Sequence, residues 1–227
     1  ESGQARSADP APTGVPWGAL ARSRNQWVFA ANQVFTNLGW VFLITLLARY
    51  LKDRFRVPVE ERALMATLPL FAGAVAMLAG GWLTDRLTRR MGTRYGRAVP
   101  LGLLKAPCVV GYCVIPFLGG PWEVVAALMV VAAFTDAGVP AVWAFAQDTG
   151  GKQAATVLGW ANMWGNLGAG LGAKLIGVAS AAYGWDAALY ACSGAFALAG
   201  LTGLLANAAR PLFPPPGSER PPGERPV

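Results

Sequence analysis

The chain has 227 residues and a net charge of +7, and only 14% of its residues are charged while 54% are hydrophobic. Because soluble domains carry about 25% charged residues, this composition excludes an ordinary soluble domain and indicates an integral membrane protein. The sequence has no histidine, no CxxC pair and no phosphate-binding glycine loop, which predicts a protein that is not an enzyme and has no cofactor or metal.

Apolar runs of the roughly 20 residues that cross about 30 Å of hydrocarbon follow one another along the chain. They predict an all-α membrane protein with six transmembrane helices near residues 27–51, 63–84, 98–118, 122–146, 154–180 and 187–206. The ends are rich in proline, glycine and charge, which predicts a flexible linker at 1–26 and a disordered tail at 207–227 around a transmembrane domain at 27–206. No signal peptide precedes the first run, so we expect a chain that begins within a longer protein or after processing.

The basic residues predict the orientation of these helices. With the N-terminus in the cytoplasm, twelve of the 19 lysines and arginines lie in the cytoplasmic segments and five lie on the other side. Both ends of the chain are therefore predicted to be cytoplasmic, in the inner or plasma membrane of the cell. Positive charge confined to loops beside the spans is the usual topology signal, so nucleic acid is not an expected partner.

Polar residues occur within the first predicted helix, where burial in lipid is costly unless they face protein or a water-filled cavity. Asn37 is one of them, and Gly39 and Trp40 follow it. Asn37 is therefore a candidate contact for a substrate.

The second predicted helix ends in a dense run of charges. Its pattern is Gly-x-Leu-x-Asp-Arg-x-x-Arg-Arg, with Gly81, Asp85, Arg86, Arg89 and Arg90. A carboxylate at a helix end can hold an arginine and cap the N-terminus of a neighbouring helix. This arrangement predicts a gating role, and an ordinary positively charged loop with an incidental aspartate is the alternative.

The third and fourth predicted helices each contain a charge at membrane depth. Lys105 can extend to the headgroups or bind an anion, and its long stem favours the headgroups. Asp136 is a candidate proton or cation site, a partner for Lys105, or a hydrogen-bond acceptor in helix packing. Pro140 predicts a bend in the same helix, and Trp143 either flanks a substrate with its ring or fills the core.

The fifth predicted helix contains two asparagines four residues apart. Asn162 and Asn166 therefore lie on one helix face. That face can present amides to a substrate in a central cavity, or it can form hydrogen bonds between helices.

The pattern from Gly81 to Arg90 resembles the loop signature of the major facilitator superfamily, with Thr88 in place of the usual glycine. Segments 37–51, 68–87 and 148–177 resemble the seventh, eighth and eleventh helix regions of its anion:cation symporter branch. The resemblance spans residues 16–206. It implies the C-terminal six-helix half of a twelve-helix bundle.

The same resemblance implies a function and partners. The function is secondary active transport of a small organic anion, often a sugar acid, by alternating access coupled to a proton or sodium gradient. The implied partners are that anion, the coupling proton or sodium ion, membrane lipid and the N-terminal six-helix half. The resemblance also favours two substrate contacts: Asn166, in its "GN-x-G" element, and Asn37, because the Gly39 and Trp40 pair that follows it resembles the family's cavity-facing segment. The alternatives are a non-transporting membrane assembly or receptor subunit of the same fold and a membrane-embedded enzyme.

Overall fold

The computed structural model describes residues 17–213, and all regular structure within them is helical. Long runs of alanine, leucine, valine and glycine favour this form, because a helix satisfies its own backbone hydrogen bonds where water is absent. The helices, in chain order, are α1 Trp17–Arg22, α2 Arg24–Val41, α3 Leu47–Phe55, α4 Val59–Leu103, α5 Ala106–Val114, α6 Pro121–Asp136, α7 Val139–Gly150, α8 Ala154–Tyr183 and α9 Trp185–Leu205.

Four continuous helical stretches among the described residues have the length and apolar composition to cross a bilayer. These stretches are Arg24–Phe55, Val59–Phe117, Pro121–Tyr183 and Trp185–Leu205. The prediction of an all-helical membrane protein is confirmed. The number of six transmembrane helices stays a prediction.

The second and third of these stretches each contain a glycine at which the backbone leaves the helical conformation. Gly92 has φ 75° and Gly151 has φ 51°, values that residues other than glycine rarely adopt. A Cβ at Gly96 would clash with Thr88, although residues eight apart in a straight helix are about 12 Å apart. Because α7 also packs against α8, the chain folds back on itself near Gly92 and near Gly151.

Helix α2 lies between α8 and α9, which are its main neighbours. Three glycines of α8 allow the close approach: a Cβ at Gly165 would lie 2.5 Å from the Asn37 side chain, and one at Gly168 would lie 2.7 Å from the Val34 carbonyl. Gly172 packs against Leu38 in the same way. Small residues on one helix face bring backbones together where the surrounding lipid supplies no hydrophobic driving force.

Both predicted terminal segments extend into the described residues. Within the predicted linker, α1 places Leu20 in a buried cluster with Phe29 and Phe145. Within the predicted tail, Asn207 exchanges two hydrogen bonds with Asn25, of 2.8 and 2.9 Å. The rest of the linker and tail, residues 1–16 and 214–227, lies outside the described residues, and the division into domains stays a prediction.

Candidate functional site

Two helix interruptions meet inside the bundle. One separates α4 from α5 at Leu104 and Lys105, and the other separates α6 from α7 at Ala137 and Gly138. A Cβ at Gly138 would lie 3.6 Å from the Lys105 Nζ. The two interruptions therefore lie beside each other, and they place backbone polar groups and charged side chains close together.

The α4–α5 interruption is held by an amide side chain of α2. The Lys105 N–H donates to the Gly102 carbonyl over 3.1 Å, a tightened turn in place of the regular helical bond. The buried Asn32 Nδ2 donates to the Leu101 carbonyl at 3.4 Å and to the Ala199 carbonyl at 2.7 Å. Asn32 thereby joins α2 to α4 and α9 beside the interruption.

The α6–α7 interruption follows from Pro140, which has no N–H to donate to the Asp136 carbonyl. The Gly138 N–H donates instead to the Thr135 carbonyl at 3.1 Å. The Asp136 carboxylate lies against Gly73 of α4, where a Cβ would clash with it. Glycine at position 73 is therefore needed for the observed direction of the Asp136 side chain.

The residues around these interruptions enclose a cavity of about 110 Å³, which is lined by Gln33, Thr36, Asn37, Trp40, Lys105, Thr135, Asp136, Gly138, Val139 and Val142. Asn37 Nδ2 donates to the Gln33 carbonyl at 3.0 Å. The Thr36 Oγ1 is buried and has no hydrogen-bond partner among residues 17–213. The cavity thus contains hydroxyl, amide, ammonium and carboxylate groups inside an apolar bundle.

Lys105 is only 4% exposed. Its Nζ lies 5.9 Å from the centre of the Phe196 ring. No carboxylate oxygen of the described residues is within the 4.0 Å of an ion pair, although Asp136 lines the same cavity. The expected extension of Lys105 to the headgroups is wrong, because the two interruptions bury its side chain within the bundle.

The structure brings together three of the predicted site residues, Asn37, Lys105 and Asp136. Trp143 is 52% exposed and lines a separate cavity of about 230 Å³ with Gln147 and Leu158. Thr36 was not among the predicted site residues. The available signal was its spacing of three residues from Gln33, which places both side chains on one face of α2.

Asn162 and Asn166 lie on an exposed face of α8 and do not line the 110 Å³ cavity. Neither side chain forms a hydrogen bond with another described residue. Hydrogen bonding between helices of this bundle therefore does not account for them, and their proposed contact with substrate stays a prediction.

The charges of the loop signature are also exposed. Asp85, Arg86, Arg89 and Arg90 are all on the surface, and Gly81 is open, with the Pro140 ring 3.9 Å from its Cβ position. The expected ion pair of Asp85 with these arginines is not present among residues 17–213. The Arg86 guanidinium lies 5.4 Å from the centre of the Trp82 ring of the same helix, and the gating role of the signature stays a prediction.

A different ion pair joins helices at this end of the molecule. The Arg97 Nε donates to the Asp148 Oδ2 at 2.8 Å, and its Nη1 donates to the Thr88 Oγ1 at 2.9 Å. Both charged side chains are largely buried, with 12% and 28% exposed. The sequence analysis missed this pair, although each member stands close to the end of a predicted helix.

Comparison with known proteins gives one family match. The model described as Major Facilitator Superfamily matches residues 29–226. A relative from Cupriavidus necator, named a probable sulfoacetate transporter, is 31% identical over 161 residues, which are 70% of this chain and 36% of the relative. Human sialin is 29% identical over 73 residues, 32% of this chain and 15% of sialin.

Two further proteins are similar. A probable L-galactonate transporter of Escherichia coli K12 is 31% identical over 74 residues, 32% of this chain and 16% of that protein. The crystal structure of the E. coli fucose:proton symporter superposes with a TM-score of 0.61 at 19% identity, covering 84% of this chain and 45% of the symporter. The chain therefore spans about a third of the length of the first curated relative and less than half of the solved structure.

Proposed function

The chain belongs to the major facilitator superfamily of membrane transporters, whose family model matches residues 29–226, and from that membership we propose that it moves a small organic anion. The proposed mechanism is secondary active transport by alternating access, driven by a proton or sodium gradient. The chain contributes the C-terminal six-helix half of a twelve-helix bundle, and its partner is the N-terminal half. Both ends of the chain lie in the cytoplasm.

Six membrane crossings agree with the lengths of the helical stretches. Stretches Val59–Phe117 and Pro121–Tyr183 contain 59 and 63 residues, and straight helices of that length would measure about 90 Å. Each would extend far beyond a hydrocarbon layer about 30 Å thick. The reversals near Gly92 and Gly151 divide each stretch into two segments, which supports two crossings from each.

The observation that carries the proposal is the polar cavity within the apolar bundle. Lys105 and the Asn37 amide line it, and groups of this kind at membrane depth are costly unless they have a ligand, a partner or water. An ammonium group suits a carboxylate, and amides suit sugar hydroxyls. The names of the relatives, which include sulfoacetate and L-galactonate transporters, support a sugar acid or related carboxylate as the substrate.

The exposed polar residues support the presence of a second half. Asn162, Asn166 and Trp143 are exposed on the described chain, and exposed amides at membrane depth are unfavourable against lipid. A facing bundle would cover them and enclose a wider central cavity. Broken helices beside such a cavity are common where two repeats rock against each other.

Coupled transport is tested by reconstituting this chain, together with the proposed N-terminal half, into liposomes. Uptake of radiolabelled L-galactonate and sulfoacetate is measured under an imposed proton gradient and, separately, a sodium gradient. We expect one gradient to drive accumulation above that of protein-free liposomes, and the matching ionophore to abolish it. If folded protein accumulates neither anion under either gradient, the transport proposal fails, and a non-transporting assembly of the same fold takes its place.

A further inference from the structure

We infer that Lys105, Thr36 and Asn37 form an oxyanion-binding site in this half of the protein, which recognises the carboxylate or sulfonate end of the substrate. This inference rests on the proposed function and assigns the charge recognition to specific residues of the described chain. Its basis is a pair of donors that line one cavity: the Lys105 ammonium group, which has no ion-pair partner among residues 17–213, and the Thr36 hydroxyl, which has no hydrogen-bond partner among them.

The first step is the burial of Lys105 without an ion-pair partner. Lys105 is only 4% exposed and lines the cavity, and no carboxylate of residues 17–213 approaches its Nζ within 4.0 Å. Burying a charge without a partner is strongly unfavourable. The burial of Lys105 is therefore accounted for if its ion-pair partner is a transported anion that binds in the cavity and then leaves it.

The second step is the set of donors around Lys105. The Thr36 hydroxyl is buried and unpartnered among the described residues. Asn37 uses one N–H of its amide for the Gln33 carbonyl, so its second N–H is free to donate. An oxyanion accepts several hydrogen bonds at once, and bonds from an ammonium group to it are about twice as strong as neutral ones.

The third step is the position of Asp136. Its carboxylate lies in the notch that Gly73 leaves in α4, on the cavity wall but outside ion-pair distance of Lys105. The ammonium group of Lys105 is therefore free to form a direct ion pair with an oxyanion, and a carboxylate or a sulfonate group carries the single negative charge that matches one ammonium group.

The test uses the reconstituted protein described above and two variants of Lys105. Lys105→Met keeps the length of the side chain without its charge, and Lys105→Arg keeps the charge. Lys174→Met is the matched control, because Lys174 is an exposed lysine of α8 that does not line the cavity. The measurements are the half-saturating concentrations of L-galactonate and sulfoacetate in uptake, and the rise in melting temperature that each anion causes.

We expect Lys105→Met to raise both half-saturating concentrations by about 10- to 150-fold, the range for loss of a hydrogen bond to a charged group. It should also abolish the rise in melting temperature. Lys105→Arg should recover a large part of the affinity, and Lys174→Met should match the wild type.

Three other results would contradict these expectations, each in a different way. If Lys105→Met retains wild-type affinity for both anions, the oxyanion site is overturned while the transport proposal stands. If the wild-type protein neither accumulates nor is stabilised by either anion, the proposed function itself is overturned. A Lys105→Met protein that melts below the wild type without ligand would assign Lys105 a structural role and also overturn the site.

Discussion

Two pairs of opposite charges in this chain differ in whether their members meet. At the end of the molecule near the reversal at Gly92, Arg97 and Asp148 form an ion pair of 2.8 Å, and Thr88 accepts a further hydrogen bond from the same guanidinium. Within the bundle, Lys105 and Asp136 line one cavity but are not within the 4.0 Å of an ion pair. The ion pair of Arg97 and Asp148 links α4 to α7. The charges of Lys105 and Asp136 form no such pair and can interact with another molecule.

The difference has a structural cause. Arg97 lies just after the reversal of α4, and its long planar group can reach both Thr88 and α7. Asp136 is held in the notch at Gly73 of α4, and its carboxylate there stays outside ion-pair distance of Lys105. A satisfied pair contributes to stability, whereas an unsatisfied charge is retained at the expense of stability, as is common at functional sites.

The largest expected effect on stability is at Arg97. Arg97→Met leaves Asp148 largely buried without its partner, and we expect a loss of about 2–4 kcal/mol, somewhat below the 3–5 kcal/mol of a fully buried pair. The measurement is thermal unfolding in detergent. Arg94→Met is the control, because Arg94 is exposed and its guanidinium only lies over the Tyr95 ring.

The ion pair is tested separately by the double variant Arg97→Met with Asp148→Leu. Since the double variant removes both charges, we expect it to be less destabilised than the sum of the single variants. Strict additivity of the two losses would mean that the pair contributes nothing beyond its individual side chains.

Substitution of Lys105 is expected to raise the stability of the protein, whereas substitution of Arg97 lowers it. Lys105→Met removes a buried charge that has no ion-pair partner within the described chain, so we expect unfolding without ligand to become about 1–3 kcal/mol less favourable. The measurement is the melting temperature in the absence of any anion. A melting temperature of Lys105→Met below that of the wild type would mean that the charge of Lys105, like that of Arg97, stabilises the fold.

The fold was more predictable than the site. The apolar runs indicated helical membrane segments, because segment length and composition are local properties of a sequence. All six predicted windows lie in largely helical chain. The prediction did not locate the helix interruption at Leu104 and Lys105, because the apolar run continues through it while Asn32 of α2 supplies the hydrogen bond that supports it.

The residues of the cavity were only partly predictable, because contacts between distant parts of the chain bring some of them together. Asn37 and Asp136 stood out as polar residues in apolar runs, and both line the cavity. The burial of Lys105 depends on α9, which covers it with Phe196, and on the interruption at Gly138. Long-range contacts of this kind leave no periodic signal in the sequence, so the length of the Lys105 side chain favoured the headgroups and its burial was not predicted.

A smaller effect is expected from filling the notch that holds Asp136. Gly73→Ala places a Cβ where the Asp136 carboxylate now lies, and overpacking of this kind costs about 1–2 kcal/mol. Because the carboxylate must move, we also expect a changed half-saturating concentration for L-galactonate. Gly177→Ala is the control, since its Cβ position has nothing within 4 Å.

The two outcomes at Gly73 have different meanings. A loss of stability with an altered affinity supports the view that the notch sets the separation of Asp136 from Lys105. A loss of stability with unchanged affinity would mean that the position of Asp136 has no influence on the anion.

The smallest effect on stability is expected on the exposed face of α8. Asn166→Ala and Asn162→Ala remove side chains that make no hydrogen bond with the described chain, so each should change the unfolding free energy by no more than about 0.5 kcal/mol. Uptake by the reconstituted protein should nevertheless separate them. Asn166→Ala should raise the half-saturating concentration for L-galactonate by about 5- to 150-fold, the range for a hydrogen bond lost in a desolvated site, and Asn162→Ala should raise it less. Equal, small changes in both variants would mean that the face packs against another bundle, and recognition of the anion would then rest on the cavity around Lys105.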